Sequence, residues 1–132
     1  MKLTRASSYA LHAVAYMAAQ KKEGPTASHI IAQKKGIPER FLLKVLKPLV
    51  SAQVLTSVKG PNGGYRLARP AHDITMLEVL EAVDGPIRGH APGGGEDSSH
   101  VNRRLEQICS QSAEQVRKQL GKIRISELSS KE

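Results

Sequence analysis

Four cations are spaced to meet a polyanion. Arg40 and Lys44 stand one helical turn apart, and Lys59 and Arg66 flank the run GPNGGY at residues 60–65. Arginine presents a planar fork of donors that matches a phosphate or a guanine edge, whereas lysine presents a compact charge. A glycine run beside a lysine can also cradle a nucleotide phosphate. That chemistry needs glycines after a strand, then a Lys-Ser or Lys-Thr pair, then a helix N-terminus to receive the phosphate. Here Lys59 precedes the glycines, no Ser or Thr follows them, and Tyr65, Arg66 and Leu67 read as a strand. The run is therefore read as the tip of a hairpin.

The other reactive side chains form no such constellation. Cys109 is the single cysteine, so no intramolecular disulfide framework exists. Between Ile108 and Ser112 on an amphipathic stretch it reads as a packed small hydrophobe. A redox sensor is the alternative, because Arg103 and Arg104 lie one to two turns earlier and favour a thiolate. Two copies of it could then join across a dimer. His90, His100, Glu96 and Asp97 are metal-ligand types, but their spacing fits no tight motif and a glycine loop is a poor cage. No metal site and no cofactor are assigned. No Ser/His/Asp arrangement or pocket-like carboxylate pair is visible, and the chain is not read as an enzyme.

The charge balance sharpens the polyanion reading. Twelve Lys and Arg face two acids in residues 1–70, whereas eight face ten in residues 71–132, so the net +8 lies in the first half. Such a split in a non-repetitive domain points to nucleic acid. An acidic partner protein bound by the same face is the competing reading. The longest nearly apolar segment, residues 7–20, is too short and too broken by polar residues to span a bilayer. No signal-peptide pattern is seen, and a soluble cytoplasmic protein is expected.

The elements that would carry these cations follow from periodicity. With one Phe, three Tyr and no Trp, the core must be built from Leu, Ile, Val and Ala, which favours helices. Thr4 is a candidate N-cap for a first helix, with Tyr9, Ala10, Ala13, Val14 and Met17 at helical spacing and a stop in KKEGP at residues 21–25. Thr26 can cap a short second helix closed by Gly36. Pro38 suits the first position of a third helix, whose buried face is Phe41, Leu42, Val45, Leu46, Leu49 and Val50. Pro48 predicts a bend or an early end near Lys47. A strand, a turn with Asn62-Gly63 at its positive-φ positions, and a second strand come next. Thr75 opens a small helix ended by Asp84-Gly85. A long helix from about His100 carries an apolar stripe at Val101, Leu105, Ile108, Ser112, Val116, Leu120 and Ile123.

These elements predict a mainly α protein: a winged helix-turn-helix with a two-stranded β wing, plus a long C-terminal dimerisation helix. In that geometry the N-terminal part of the second helix of the pair enters the major groove. Glu39, Arg40, Leu43 and Lys44 would point outward there, with Arg40 on a guanine edge and Lys44 on a phosphate or guanine. Lys59, Asn62, Gly63, Gly64, Tyr65 and Arg66 are the expected wing contacts. The organisation expected is a DNA-binding domain over 1–84, a flexible loop over 85–99, a dimerisation helix over 100–125 and a tail over 126–132. Val101, Leu105, Ile108, Cys109, Val116, Leu120 and Ile123 would line the dimer interface.

The segments MKLTRASSYALHAVAYMA, GIPERFLLKVLKPLVSAQVL, SVKGPNGGYRLARP and ITMLEVLEAVDG together resemble the Rrf2 family of bacterial transcription regulators. The likeness covers roughly residues 1–85, with a weaker echo in ISEL at residues 125–128. It implies a homodimer on a pseudo-palindromic operator in double-stranded DNA, commonly acting as a repressor, with a small-molecule or protein effector. Cluster-binding members hold an iron–sulfur cluster on three closely spaced cysteines in the loop before the dimer helix. The corresponding loop here contains none until Cys109, and one thiolate cannot supply such a ligand set.

Overall fold

The first helix, α1 (Arg5–Ala18), begins where Thr4 Oγ1 accepts the Ser7 backbone N–H at 3.0 Å. The computed structural model describes residues 1–21, 23–91 and 100–129. The same Thr4 hydroxyl donates to the Asp84 carboxylate at 2.9 Å, and the buried Ser7 hydroxyl donates there too. A carboxylate near a helix N-terminus also meets the positive end of the helix dipole. This contact joins the start of the chain to Asp84, 80 residues further on. The helix stops at Ala18, before the predicted KKEGP stop, and Gln20 Nε2 donates back to the Tyr16 carbonyl.

Two helices and a hairpin follow: α2 (Ser28–Lys35), α3 (Glu39–Ser51), β1 (Leu55–Val58) and β2 (Gly64–Leu67). Ala27, not Thr26, occupies the α2 N-cap, because the Thr26 backbone is engaged elsewhere. Gly36 closes α2 in the left-handed conformation (φ 68°, ψ 34°). Pro38 lies just before α3 rather than inside it. The early end expected near Lys47 does not occur, and α3 runs through Pro48 to Ser51. Proline removes a single helical donor, while Leu42, Val45, Leu46 and Leu49 bury the opposite face. The helix ends in a Schellman arrangement: Val54 N–H donates to the Leu49 carbonyl and Gln53 N–H to the Val50 carbonyl, with Gln53 at φ 62°.

The hairpin pairs Leu55 with Leu67, Thr56 with Arg66, Ser57 with Tyr65 and Val58 with Gly64 in antiparallel register. Its turn differs from the predicted one. The Gly63 N–H donates to the Gly60 carbonyl at 3.0 Å, and the positive φ values belong to Gly60 and Gly64, not to Asn62 and Gly63. Pro61 and Asn62 thus sit at the two centres of a type I pattern, where Pro is preorganised.

A 3₁₀ turn (Ala71–Asp73) leads into α4 (Met76–Asp84), which opens with a full capping box between Thr75 and Glu78. Then α5 (His100–Leu120) and α6 (Ile125–Leu128) complete the described chain. Between them the backbone returns to the body. Met76 N–H donates to the Ile123 carbonyl and Ile125 N–H to the Ile74 carbonyl, each at 2.8 Å. Fully buried Ile31, Leu42, Leu46, Leu49, Ile74, Val79 and Ile125 form the core, which is aliphatic as composition requires.

Two dimer-stripe positions change as a result. Leu120 is buried in this chain's own core, and Ile123 lies beyond the end of α5, packed against that core. Leu120 is only 6% exposed, and the chain reversal at residues 121–124 carries the backbone back to Ile74 and Met76. Val101, Leu105 and Ile108 remain exposed, at 65%, 46% and 42%. Val116 and Cys109 are half-buried.

Of the stretch read as a loop, residues 85–91 lie along α5, and residues 92–99 fall outside the described residues. Glu81 holds one end of this strap, accepting from Ile87 N–H at 2.9 Å and from Arg117 Nε at 3.0 Å. Glu106 holds the other, accepting from Ala91 N–H at 3.0 Å. Midway, Gly89 passes so close that a Cβ there would meet the Cys109 carbonyl at 1.9 Å.

Candidate nucleic-acid interface

The helix-turn-helix is set by three local features. Gly36 reverses the chain, Ile37 enters the core at 5% exposure, and Ser28 Oγ donates to the Glu39 carboxylate at 2.8 Å. The last contact pins the first turn of α2 to the first turn of α3. Glu39 thus already has a protein partner, although it stays exposed. On α3 the buried stripe faces inward, and Arg40, Leu43, Lys44 and Lys47 face solvent together. Sequence reasoning named the first three and omitted Lys47, whose place one turn after Leu43 is legible from the helical period.

Phe41 departs from expectation: it is 40% exposed rather than buried. It lies roughly a quarter turn from the centre of the Leu42/Val45/Leu46/Leu49 stripe, at the edge where packing ends. Arg40 Cζ stands 5.0 Å and Lys44 Nζ 5.8 Å from the ring centroid. Beside the ring, Arg5, Ala6 and Tyr9 of α1 border a cleft of about 230 Å³.

The wing is tethered rather than free. Thr26 N–H donates to the Tyr65 carbonyl at 2.9 Å and Tyr65 N–H to the Thr26 carbonyl at 2.8 Å, adding a one-residue bridge to the two-stranded sheet. Tyr65 packs half-buried on the core. Gly64 is needed for this approach, because a Cβ there would lie 2.2 Å from the Thr26 carbonyl oxygen. Gly63 likewise faces the Val58 carbonyl. Both glycines therefore have an internal reason for lacking side chains. Lys59, Asn62 and Arg66 are exposed, as are Arg40 and Lys44. Arg69, also in the basic half, serves the fold by bonding the Asp73 carbonyl and Glu78.

Two carboxylates near the scaffold are tuned by these contacts. At Glu78 burial acts upward, but hydrogen bonds from Arg69 and the Thr75 backbone prevail and hold it below its ordinary value. At Glu81 the Arg117 hydrogen bond is the main cause of a downward shift, aided by Ile87 N–H against partial burial.

A helix pair with an exposed basic second helix, followed by a hairpin tied back to the first, defines a winged helix-turn-helix. The model of the Rrf2 family, described as iron-dependent transcriptional regulators, matches residues 3–131, and the chain belongs to this family. It is a family of transcriptional regulators, not of enzymes. The chain is 41% identical to Protein aau3 of Rhizobium meliloti over 86 residues, 64% of this chain and 54% of that protein. It is 32% identical over 129 residues to the HTH-type transcriptional regulator IscR of Xenorhabdus nematophila, covering 97% of this chain and 79% of that one. The chain thus spans only about half the length of several curated relatives, aau3 among them. The solved structure of CymR, the global cysteine regulator of Bacillus subtilis, superposes with a TM-score of 0.78 at 26% identity, over 98% of this chain and 96% of that one.

The family description raises iron, and the donor set here does not fit an iron–sulfur cluster. Such clusters are held by several thiolates, and this chain has one cysteine. Cys109 is half-buried on α5 beneath the Gly89 backbone. Among the described residues no three metal-ligating side chains come together. His90 Nδ1 meets Glu106 at 3.4 Å, and both are well exposed. Glu96 and Asp97 lie outside the described residues. Nor is any helix among the described residues long and apolar enough to cross a membrane.

Proposed function

We propose that this chain is a sequence-specific, double-stranded-DNA-binding transcriptional regulator that acts as a homodimeric repressor on a pseudo-palindromic operator. The observation that carries it is the exposed Arg40/Lys44 pair on a helix whose start is pinned by the Ser28–Glu39 contact, beside a wing held by the Thr26–Tyr65 bridge. Arg40 reads a guanine edge, and Lys44 meets a phosphate or guanine. Lys59 and Arg66 on the wing supply backbone contacts that orient the protein without reading sequence. Leu43 offers an apolar contact to a thymine methyl. Dimerisation rests on Val101, Leu105 and Ile108, which leave three apolar side chains in water on one face of α5. Such a regulator works in the cytoplasm beside the chromosome, under a small-molecule or protein effector.

The test is titration of a fluorescent duplex from the protein's own promoter region, with excess unrelated DNA as competitor. Affinity should fall with salt at a log–log slope of roughly −0.9 per phosphate contacted. Arg40→Ala should cost about 1–3 kcal/mol and relax base preference at one position in each half-site. Lys59→Ala should weaken all duplexes alike. Equal affinity for promoter and competitor would overturn the reading.

A further inference from the structure

Phe41 is the one phenylalanine of the chain, and it stands 40% exposed on the helix proposed to enter DNA. Arg40 and Lys44 stand at i and i+4 on one helix, where like charges repel and favour rotamers that splay apart. Here both come to the same ring, at 5.0 and 5.8 Å from its centroid. Both distances lie within the range of about 6 Å over which a cation is drawn to an aromatic face. Arg5, Ala6 and Tyr9 of α1 border the cleft beside the ring, and Lys44 borders it as well. From this geometry we infer that Phe41 is a positioning residue for DNA readout: its ring gathers Arg40 and Lys44 into a preset pair before DNA arrives.

The advantage is entropic. Long cationic side chains lose rotamer freedom when they dock, and holding them beforehand reduces that loss. The effect falls on discrimination rather than on general attraction, because the two charges persist without the ring. This inference rests on the DNA-binding reading above, and the experiment separates the two. Phe41→Leu removes the ring and keeps an apolar side chain; Phe41→Tyr keeps the ring. If Phe41→Leu does not fold, judged by its thermal melt, Phe41→Met replaces it.

In the free protein, proton NMR should show the Arg40 δ and Lys44 ε methylenes displaced upfield by the ring current. The displacement should vanish in Phe41→Leu and persist in Phe41→Tyr. Unshifted signals in the wild type overturn the pairing whatever DNA does. With a duplex selected from a randomised pool, Phe41→Leu should lose roughly two- to fivefold discrimination per cation against a duplex with its guanines replaced, and Phe41→Tyr should restore it. The salt slope should not change. Equal discrimination by wild type and Phe41→Leu overturns the inference alone. Equal losses in Phe41→Leu and Phe41→Tyr overturn it in favour of direct ring contact. A wild type that prefers no duplex overturns the DNA reading, and the positioning role with it.

Discussion

Replacing Gly64 with alanine should release the wing from the body of the protein. Gly60 provides the matched control, because both glycines hold positive φ, 108° and 152°. Either alanine must bear backbone strain of about 1–3 kcal/mol. They differ in what the new methyl group meets. At Gly60 nothing lies within 4 Å, whereas at Gly64 it would sit 2.2 Å from the Thr26 oxygen and 2.7 Å from the Ala27 nitrogen. Those are backbone atoms, so no side chain can swing aside. The wing must move by about 1 Å, which overpacked sites resist. The two hydrogen bonds between Thr26 and Tyr65 would then open, at about 0.5–1.5 kcal/mol each. Gly64→Ala should therefore be less stable than Gly60→Ala by about 1–3 kcal/mol. For a chain of this size that separates their melting temperatures by roughly 4–12 °C. Thermal denaturation measures the gap, and hydrogen exchange at the Thr26 and Tyr65 amides locates it. If the two variants melt together, close approach to Thr26 is not what holds the wing.

Three further substitutions probe other contacts. Gln53→Gly should stabilise the protein by about 0.5–1 kcal/mol in urea titrations, since Gln53 holds φ 62° at the end of α3 and glycine adopts that conformation without strain. No gain would mean that the glutamine side chain compensates for its backbone. Glu81→Gln tests the strap between α4 and α5. The Arg117 hydrogen bond, foremost, holds the Glu81 carboxyl below its ordinary 4.5. Its contribution is therefore complete above that value and lost as pH falls through the lowered one. The stability gap between wild type and Glu81→Gln should be widest near neutral pH and close in acid; a constant gap refutes the assignment. Leu105→Asp should weaken self-association at least about 30-fold in sedimentation, because the proposed symmetric interface would lose one leucine from each copy. An unchanged profile would show that this face of α5 is not a dimer interface.

Signals confined to a few neighbouring residues were legible in the chain. Thr4 and Thr75 announced their helices because a cap bonds a backbone amide three residues away. Gly36 announced the helix-turn-helix because a left-handed residue there strongly favours glycine. The hairpin's existence was readable from β-branched runs around glycines, yet its positive-φ positions were misplaced. Asn62-Gly63 is a common hairpin signal, but Pro61 fixes the preceding φ and moves the turn one residue earlier. Arg40 and Lys44 were legible as outward cations from the helical period alone.

What sequence determined by itself, then, is the order of elements, the aliphatic core and the placing of positive charge in the first half of the chain. These follow from local hydrogen bonding, periodicity and composition. Tertiary structure decided which faces are already occupied. It turned Thr26 from a helix cap into a strand partner for Tyr65, gave Gly64 its reason in the Thr26 carbonyl, and moved Phe41 to the edge of the stripe. It also drew Leu120 inward by folding α6 back on the body. Each outcome depends on a contact between residues far apart in the chain, and a one-dimensional pattern carries no information about which surface another segment will cover.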